Sequence, residues 1–126
     1  MRIVKGYQKD FPDFVVVLLD YLERLFPYNW ERIALYVMPS ISYSLNELSE
    51  LAWHFNSADE FLKDYGDTLN SLLETFVNKL LGLGLKIDVE NVISDVKEEW
   101  IKELNRYYLE RKWFWKDKRP VYQREA

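Results

Sequence analysis

The stretch from Val89 to about Lys116 most constrains the fold, because its apolar residues recur at helical spacing along its whole length. They are Val89, Val92, Ile93, Val96, Trp100, Leu104, Tyr107 and Trp115. Several lie eleven positions apart, which corresponds to about 3.67 residues per turn and favours a nearly straight helix over a left-handed coiled coil. Asp88 stands where an N-cap residue belongs. We therefore predict one long C-terminal helix against which the preceding segments pack.

The first half of the chain predicts three shorter helices. Pro12 opens the first of them, since proline is tolerated in a first turn, and Pro27 ends it. Asn29 caps the second helix, which ends at Pro39. Ser44 begins the third, because Glu stands three positions later in a capping-box pattern.

The middle of the chain predicts two more helices before the long one. A second capping box starts at Ser57 and opens a short helix that Gly66 stops. Asp67 then caps a strongly amphipathic segment that ends at the glycines of positions 82 and 84. Residues 85–88 alternate briefly like a strand before the long helix begins.

Length and composition indicate one folded domain. The chain has 126 residues, of which 48% are hydrophobic and 30% charged, a balance typical of globular proteins rather than disordered ones. We predict an all-α, single-domain bundle of five or six helices over residues 1–126, with a long C-terminal helix. Residues 1–9 form an N-terminal arm in this prediction, and residues 120–126 form a C-terminal tail.

The composition also bears on location. There is no cysteine, which excludes disulfides and fits a reducing compartment. No secretory signal is visible, and the longest apolar run, residues 14–19, is too short to span a bilayer. The cysteine-free composition, rich in Tyr and Trp, is similar to that of small proteins of archaea and their viruses. We expect a cytoplasmic protein, in the host cytoplasm if it is viral.

Charge is distributed unevenly between the two ends. Residues 1–101 carry nine Lys and Arg against seventeen Asp and Glu, whereas residues 102–126 carry eight against four. The basic end interleaves cations with aromatic rings, a mixture suited to phosphates and stacked bases of single-stranded nucleic acid. The candidate contacts are Arg106, Tyr108, Arg111, Lys112, Lys116, Lys118 and Arg119.

Two other uses of the basic aromatic end stay open. Trp, Tyr and Lys also suit the headgroup level of a membrane surface. Alternatively, Tyr107 and Trp115 belong to the core while the cations dock on the protein's own acidic body.

Leu109 and Trp113 lie four positions apart, on the side of the predicted helix opposite Leu104 and Trp115. One small body does not bury both sides of the same helix end. An apolar pair ringed by charged residues has the composition of an interface anchor. We therefore hypothesise that Leu109 and Trp113 form a self-association contact or meet another protein partner.

No pattern in the chain indicates catalysis, a cofactor or a metal site. His54 is the only histidine, and Glu47 and Glu50 on the preceding turns do not complete a ligand set with it. The glycines at positions 82 and 84 are explained by a helix stop. We expect a non-enzymatic interaction or accessory protein that self-associates through its C-terminal helix, forming a homo-oligomer. The alternative is a nucleic-acid-binding accessory protein that uses residues 106–119.

Overall fold

The computed structural model describes residues 11–118, and the side chains of residues 11–111. In this part the chain forms five α-helices, two short 3₁₀ turns and no strand. The helices are α1 (Phe14–Leu25), α2 (Trp30–Val37), α3 (Ser42–Leu51), α4 (Ala58–Gly82) and α5 (Val89–Lys118). The predicted all-α class and the long C-terminal helix are confirmed. The predicted arm (1–9) and tail (120–126) lie outside the described residues.

The start of α1 differs from the prediction. Asp13 is the N-cap, and its side chain accepts a hydrogen bond of 3.0 Å from the backbone N–H of Val16. Pro12 is buried just before the cap instead of lying in the first turn. A side chain that satisfies a free amide therefore decides where the helix begins, and the proline only precedes it.

The predicted capping box at Ser44 is wrong. A 3₁₀ turn at Met38–Ser40 leads directly into α3, which begins at Ser42 with Ile41 as the capping residue. The Ser42 hydroxyl donates to the carbonyl of Met38 at 2.5 Å. Ser44 is therefore the third residue of α3 and not its N-cap, because the helix follows directly from the preceding 3₁₀ turn.

The capping serine predicted at position 57 is confirmed, but the helix that it opens does not stop at Gly66. The Ser57 side chain accepts from the N–H of Glu60 at 3.2 Å, and α4 then runs without a break to Gly82. Phe61 before the glycine and Leu69 after it are both buried in the core. Burial of each large side chain contributes about 1.5–3 kcal/mol, which exceeds the roughly 1 kcal/mol cost of a helical glycine.

The connection between α4 and α5 contains the predicted glycine stop but no strand. Gly84 has φ +78°, a left-handed conformation that glycine adopts without steric cost. Residues 85–88 form no ladder and link the two helices. Asp88 then caps α5 as predicted, accepting a hydrogen bond of 3.2 Å from the N–H of Asn91.

One side of α5 supplies a wall of the hydrophobic core. Its buried residues are Val92, Val96, Trp100, Leu104 and Tyr107. The Trp100 ring lies 5.8 Å from the Phe14 ring, and its indole N–H donates to the Phe14 carbonyl at 3.1 Å. Phe14 also stacks on Phe61 of α4 at 6.1 Å. These aromatic contacts join the first, fourth and fifth helices at one point.

Among the helices that the structure describes, none combines the length and the apolar composition that a membrane crossing requires.

Candidate interaction site at the end of the C-terminal helix

Leu109 lies on the outer side of α5 and is 59% exposed. At 100° per residue it lies about 160° around the helix from Tyr107 and about 140° from Leu104, both of which are buried. The predicted placement of Leu109 opposite the core therefore agrees with the structure. The Trp113 side chain, its predicted companion, lies outside the described side chains.

Tyr108 and Arg111 fasten this end of α5 to the 3₁₀ turn at Ala52–His54. The Tyr108 hydroxyl donates to the Ala52 carbonyl at 2.7 Å, and an Arg111 guanidinium nitrogen donates to the Phe55 carbonyl at 2.8 Å. Burial of the Tyr108 ring raises its pKa above the ordinary value, so the phenol stays a neutral donor. The Ala52 carbonyl also accepts from the backbone N–H of Phe55 at 3.2 Å, so Tyr108 adds a second hydrogen bond to it.

The Arg111 guanidinium also lies over two aromatic rings. Its carbon is 4.7 Å from the centre of the Trp53 ring and 6.0 Å from that of Tyr108. These distances are within the range of cation–π attraction. The basic end therefore docks on its own body here through carbonyl oxygens and ring faces rather than through carboxylates.

Arg106 is held between two carboxylates of its own helix. Its guanidinium contacts Glu103 at 2.5 Å and Glu110 at 2.6 Å. The hydrogen bond to Glu103 is the main reason why the pKa of Arg106 lies above its ordinary value. Glu103 also accepts from the backbone N–H of Asp13 at 2.7 Å, so this cluster connects α5 to the start of α1.

The seven residues that the sequence predicts as nucleic-acid contacts fall into two groups. Arg106, Tyr108 and Arg111 are engaged by atoms of their own chain. The other four lie outside the described side chains, and these are Lys112, Lys116, Lys118 and Arg119. The helical backbone continues to Lys118, which is about 10 Å beyond Arg111 at 1.5 Å per residue. The backbone of α5 thus continues for nearly two turns past Arg111, the last residue whose side chain the structure describes.

A groove of 740 Å³ lies between α1 and α5 beside this end, and a second cavity of 660 Å³ continues it along α1. Its apolar lining comes from Phe11, Val16 and Val17. Six carboxylates and three cations line the two cavities, a balance of −3. They are Asp13, Asp20, Glu23, Glu99, Glu103 and Glu110 against Arg24, Lys102 and Arg106.

Sequence reasoning did not find this groove. Its two walls come from residues about eighty positions apart in the chain, and no local spacing links them. The same is true of Ala52 and Phe55, which receive Tyr108 and Arg111 from 56 positions away. The only local signal is that Tyr108 and Arg111 are three positions apart and therefore share one side of a helix.

The other sequence candidates do not form a site in the described part of the chain. His54 ends a 3₁₀ turn, so the helical spacing to Glu47 and Glu50 does not hold. Among residues 11–111, no three side chains of the metal-ligating types His, Cys, Asp and Glu lie close enough to share an ion. Comparison of the chain with protein-family models, curated proteins and solved structures gave no match.

Proposed function

We propose that this chain is a non-enzymatic interaction protein that self-associates through the C-terminal end of α5, with Leu109 in the contact. The observation that carries the proposal is the 59% exposure of Leu109 on the outer side of α5, opposite the residues that this helix buries in the core. A contact at Leu109 would bury its exposed apolar surface against the partner, and burial of apolar surface drives association.

The surroundings of Leu109 support an interface that is specific. Arg106 and Glu110 lie beside it on the helix and are paired with each other. An apolar centre within a charged rim is the usual arrangement of a protein–protein contact. Trp113, one helical turn further on, is the second anchor in this proposal, and Trp is among the residues enriched in binding hot spots.

The nucleic-acid alternative receives less support from the geometry. Phosphate binding needs cations that are free to meet it, whereas Arg106 and Arg111 are occupied within the chain. Stacking of a base on Tyr108 would compete with the contacts that this residue makes to Ala52 and Arg111. We therefore place protein contact before nucleic-acid contact.

Sedimentation velocity of the wild type and of Leu109→Asp tests the proposal. We expect the wild type to associate with rising concentration and the variant to weaken the association about thirtyfold, the effect of losing a hot spot of roughly 2 kcal/mol. Leu35→Asp is the matched control, because Leu35 is a 78% exposed leucine on α2. It should leave association unchanged.

A wild type that stays monomeric throughout would overturn the proposal. Equal weakening by Leu109→Asp and Leu35→Asp would also contradict it, because the contact would then not be at this end of α5. Fluorescence anisotropy with a short single-stranded oligonucleotide covers the alternative. Binding that falls steeply with salt, while Leu109→Asp has no effect on it, would favour nucleic acid over self-association.

A further inference from the structure

We infer that the groove between α1 and α5 receives the basic aromatic end, residues 112–119, of a second copy of this chain. The inference rests on the proposed self-association and names the surface that the end of α5 contacts. The occupant and the groove match in charge, in apolar surface and in the symmetry of a dimer.

The groove and the helix end carry opposite net charges. Residues 112–119 carry four cations and one carboxylate, a balance of +3. The groove has six carboxylates and three cations, a balance of −3. Opposite potentials of this kind steer association and fix the register of the two surfaces. The net charges of +3 and −3 therefore cancel when one helix end lies in one groove.

Two of the groove carboxylates are available for an incoming cation. Glu99 lies 3.7 Å from Lys102, and Glu103 and Glu110 both contact Arg106. Asp20 and Glu23 lie exposed on α1, and within the described part of the chain neither forms an ion pair. The α1 wall of the groove thus has two carboxylates without an ion-pair partner, while Arg24, its one described cation, lies over the Tyr21 ring.

The lining of the groove suits the aromatic half of the occupant. Val16 is 43% exposed on this side of α1, and Phe11 and Val17 lie beside it. Trp113 is the ring of this segment that lies on the same side of α5 as Leu109. Large rings on an apolar floor with charged walls bury the area from which most interface energy comes.

Symmetry makes the two contacts reciprocal. A two-fold axis at Leu109, with the two α5 helices antiparallel, places residues 112–118 of one copy opposite residues 100–106 of the other. That range includes Lys102, Glu103 and Arg106, which form the α5 wall of the groove. Each copy therefore gives one helix end and receives one, and the assembly closes as a dimer.

A charge swap between the two surfaces tests the inference. Asp20→Lys with Glu23→Lys should raise the dimer dissociation constant about tenfold, and Lys112→Glu with Lys116→Glu should do the same. The four substitutions together should return it to within about threefold of the wild type, because the pairing is restored with reversed sign. Sedimentation equilibrium measures all four proteins.

Asp64→Lys with Glu74→Lys is the matched control, because both residues are exposed on α4 and the net charge changes equally. It should leave the dissociation constant unchanged, and far-UV circular dichroism should be the same for every variant. Groove variants that dimerise like the wild type, or a combined variant no tighter than either pair alone, would overturn the inference. With a wild-type dimer that depends on Leu109, such a result leaves the proposed function standing, whereas a monomeric wild type removes both.

Discussion

At the scale of single residues, the buried Tyr21 of α1 has its hydrogen-bond partner on a helix that is distant in the chain. The Tyr21 hydroxyl donates to an Asp95 carboxylate oxygen at 3.2 Å across the α1–α5 contact. Burial of the ring, together with the nearby charge of Asp95, raises the pKa of Tyr21 from 10.0 to about 12. The neutral phenol is therefore the form that the folded state favours.

This pKa predicts how stability responds to high pH. Because the folded-state pKa is raised, the stabilisation by Tyr21 is complete below pH 10 and is lost as the pH rises to about 12. Tyr21→Phe removes the hydrogen bond and the titration together. We expect the variant to be less stable by about 1 kcal/mol at pH 9, and the difference to shrink towards pH 12.

Urea denaturation of the wild type and the variant between pH 9 and 12 measures this difference. Tyr28→Phe is the control, because the Tyr28 side chain is 98% exposed. The free energy of unfolding of Tyr28→Phe should equal that of the wild type at every pH. A gap between Tyr21→Phe and the wild type that is constant over this range would contradict the prediction.

At the scale of helices, the two glycines Gly66 and Gly84 have opposite conformations and predict opposite substitution effects. A Cβ at Gly66 would lie 3.8 Å from the Leu62 Cβ, an ordinary contact, and the residue is helical. Gly66→Ala should therefore stabilise the protein by about 0.5–1 kcal/mol.

Gly84→Ala should destabilise the protein by about 1 kcal/mol, since alanine is strained at φ +78°. Urea denaturation of both variants checks the signs, and a destabilising Gly66→Ala would show that α4 is not continuous there.

The helices show which features of the fold the sequence predicts. The buried side of α5 follows from its own periodicity, as do the caps Asp88 and Ser57, because these signals lie within one or two turns. The break expected at Gly66 does not occur, because burial of Phe61 and Leu69 outweighs a local glycine cost. Local propensity therefore determines where a helix begins or ends only where tertiary contacts do not oppose it.

The candidate site, like the fold, is predictable from the sequence only in part. The outward position of Leu109 is predictable from helical spacing alone. The docking of Tyr108 and Arg111 on Ala52 and Phe55 is not, because the acceptors are backbone carbonyls that carry no sequence signature. The groove beside them arises only when α1 and α5 are packed together.

At the scale of the whole molecule, residues of all five helices belong to one hydrophobic cluster. A single core predicts one cooperative unfolding transition. Leu104→Ala, at a fully buried position of α5, should lower the free energy of unfolding by about 2–5 kcal/mol. Far-UV circular dichroism and tryptophan fluorescence should nevertheless report the same midpoint. Separate midpoints would mean that α5 unfolds independently of the other helices.

The bond from the Trp100 indole to the Phe14 carbonyl spans 86 positions of the chain. During synthesis, α1 emerges from the ribosome long before the residue that closes its buried side. Phe14 therefore lacks the ring contact and the carbonyl hydrogen bond of Trp100 until translation has passed that residue. Completion of the core thus requires nearly the whole described length of the chain, and a nascent chain that ends before Trp100 would leave the apolar side of α1 without this cover.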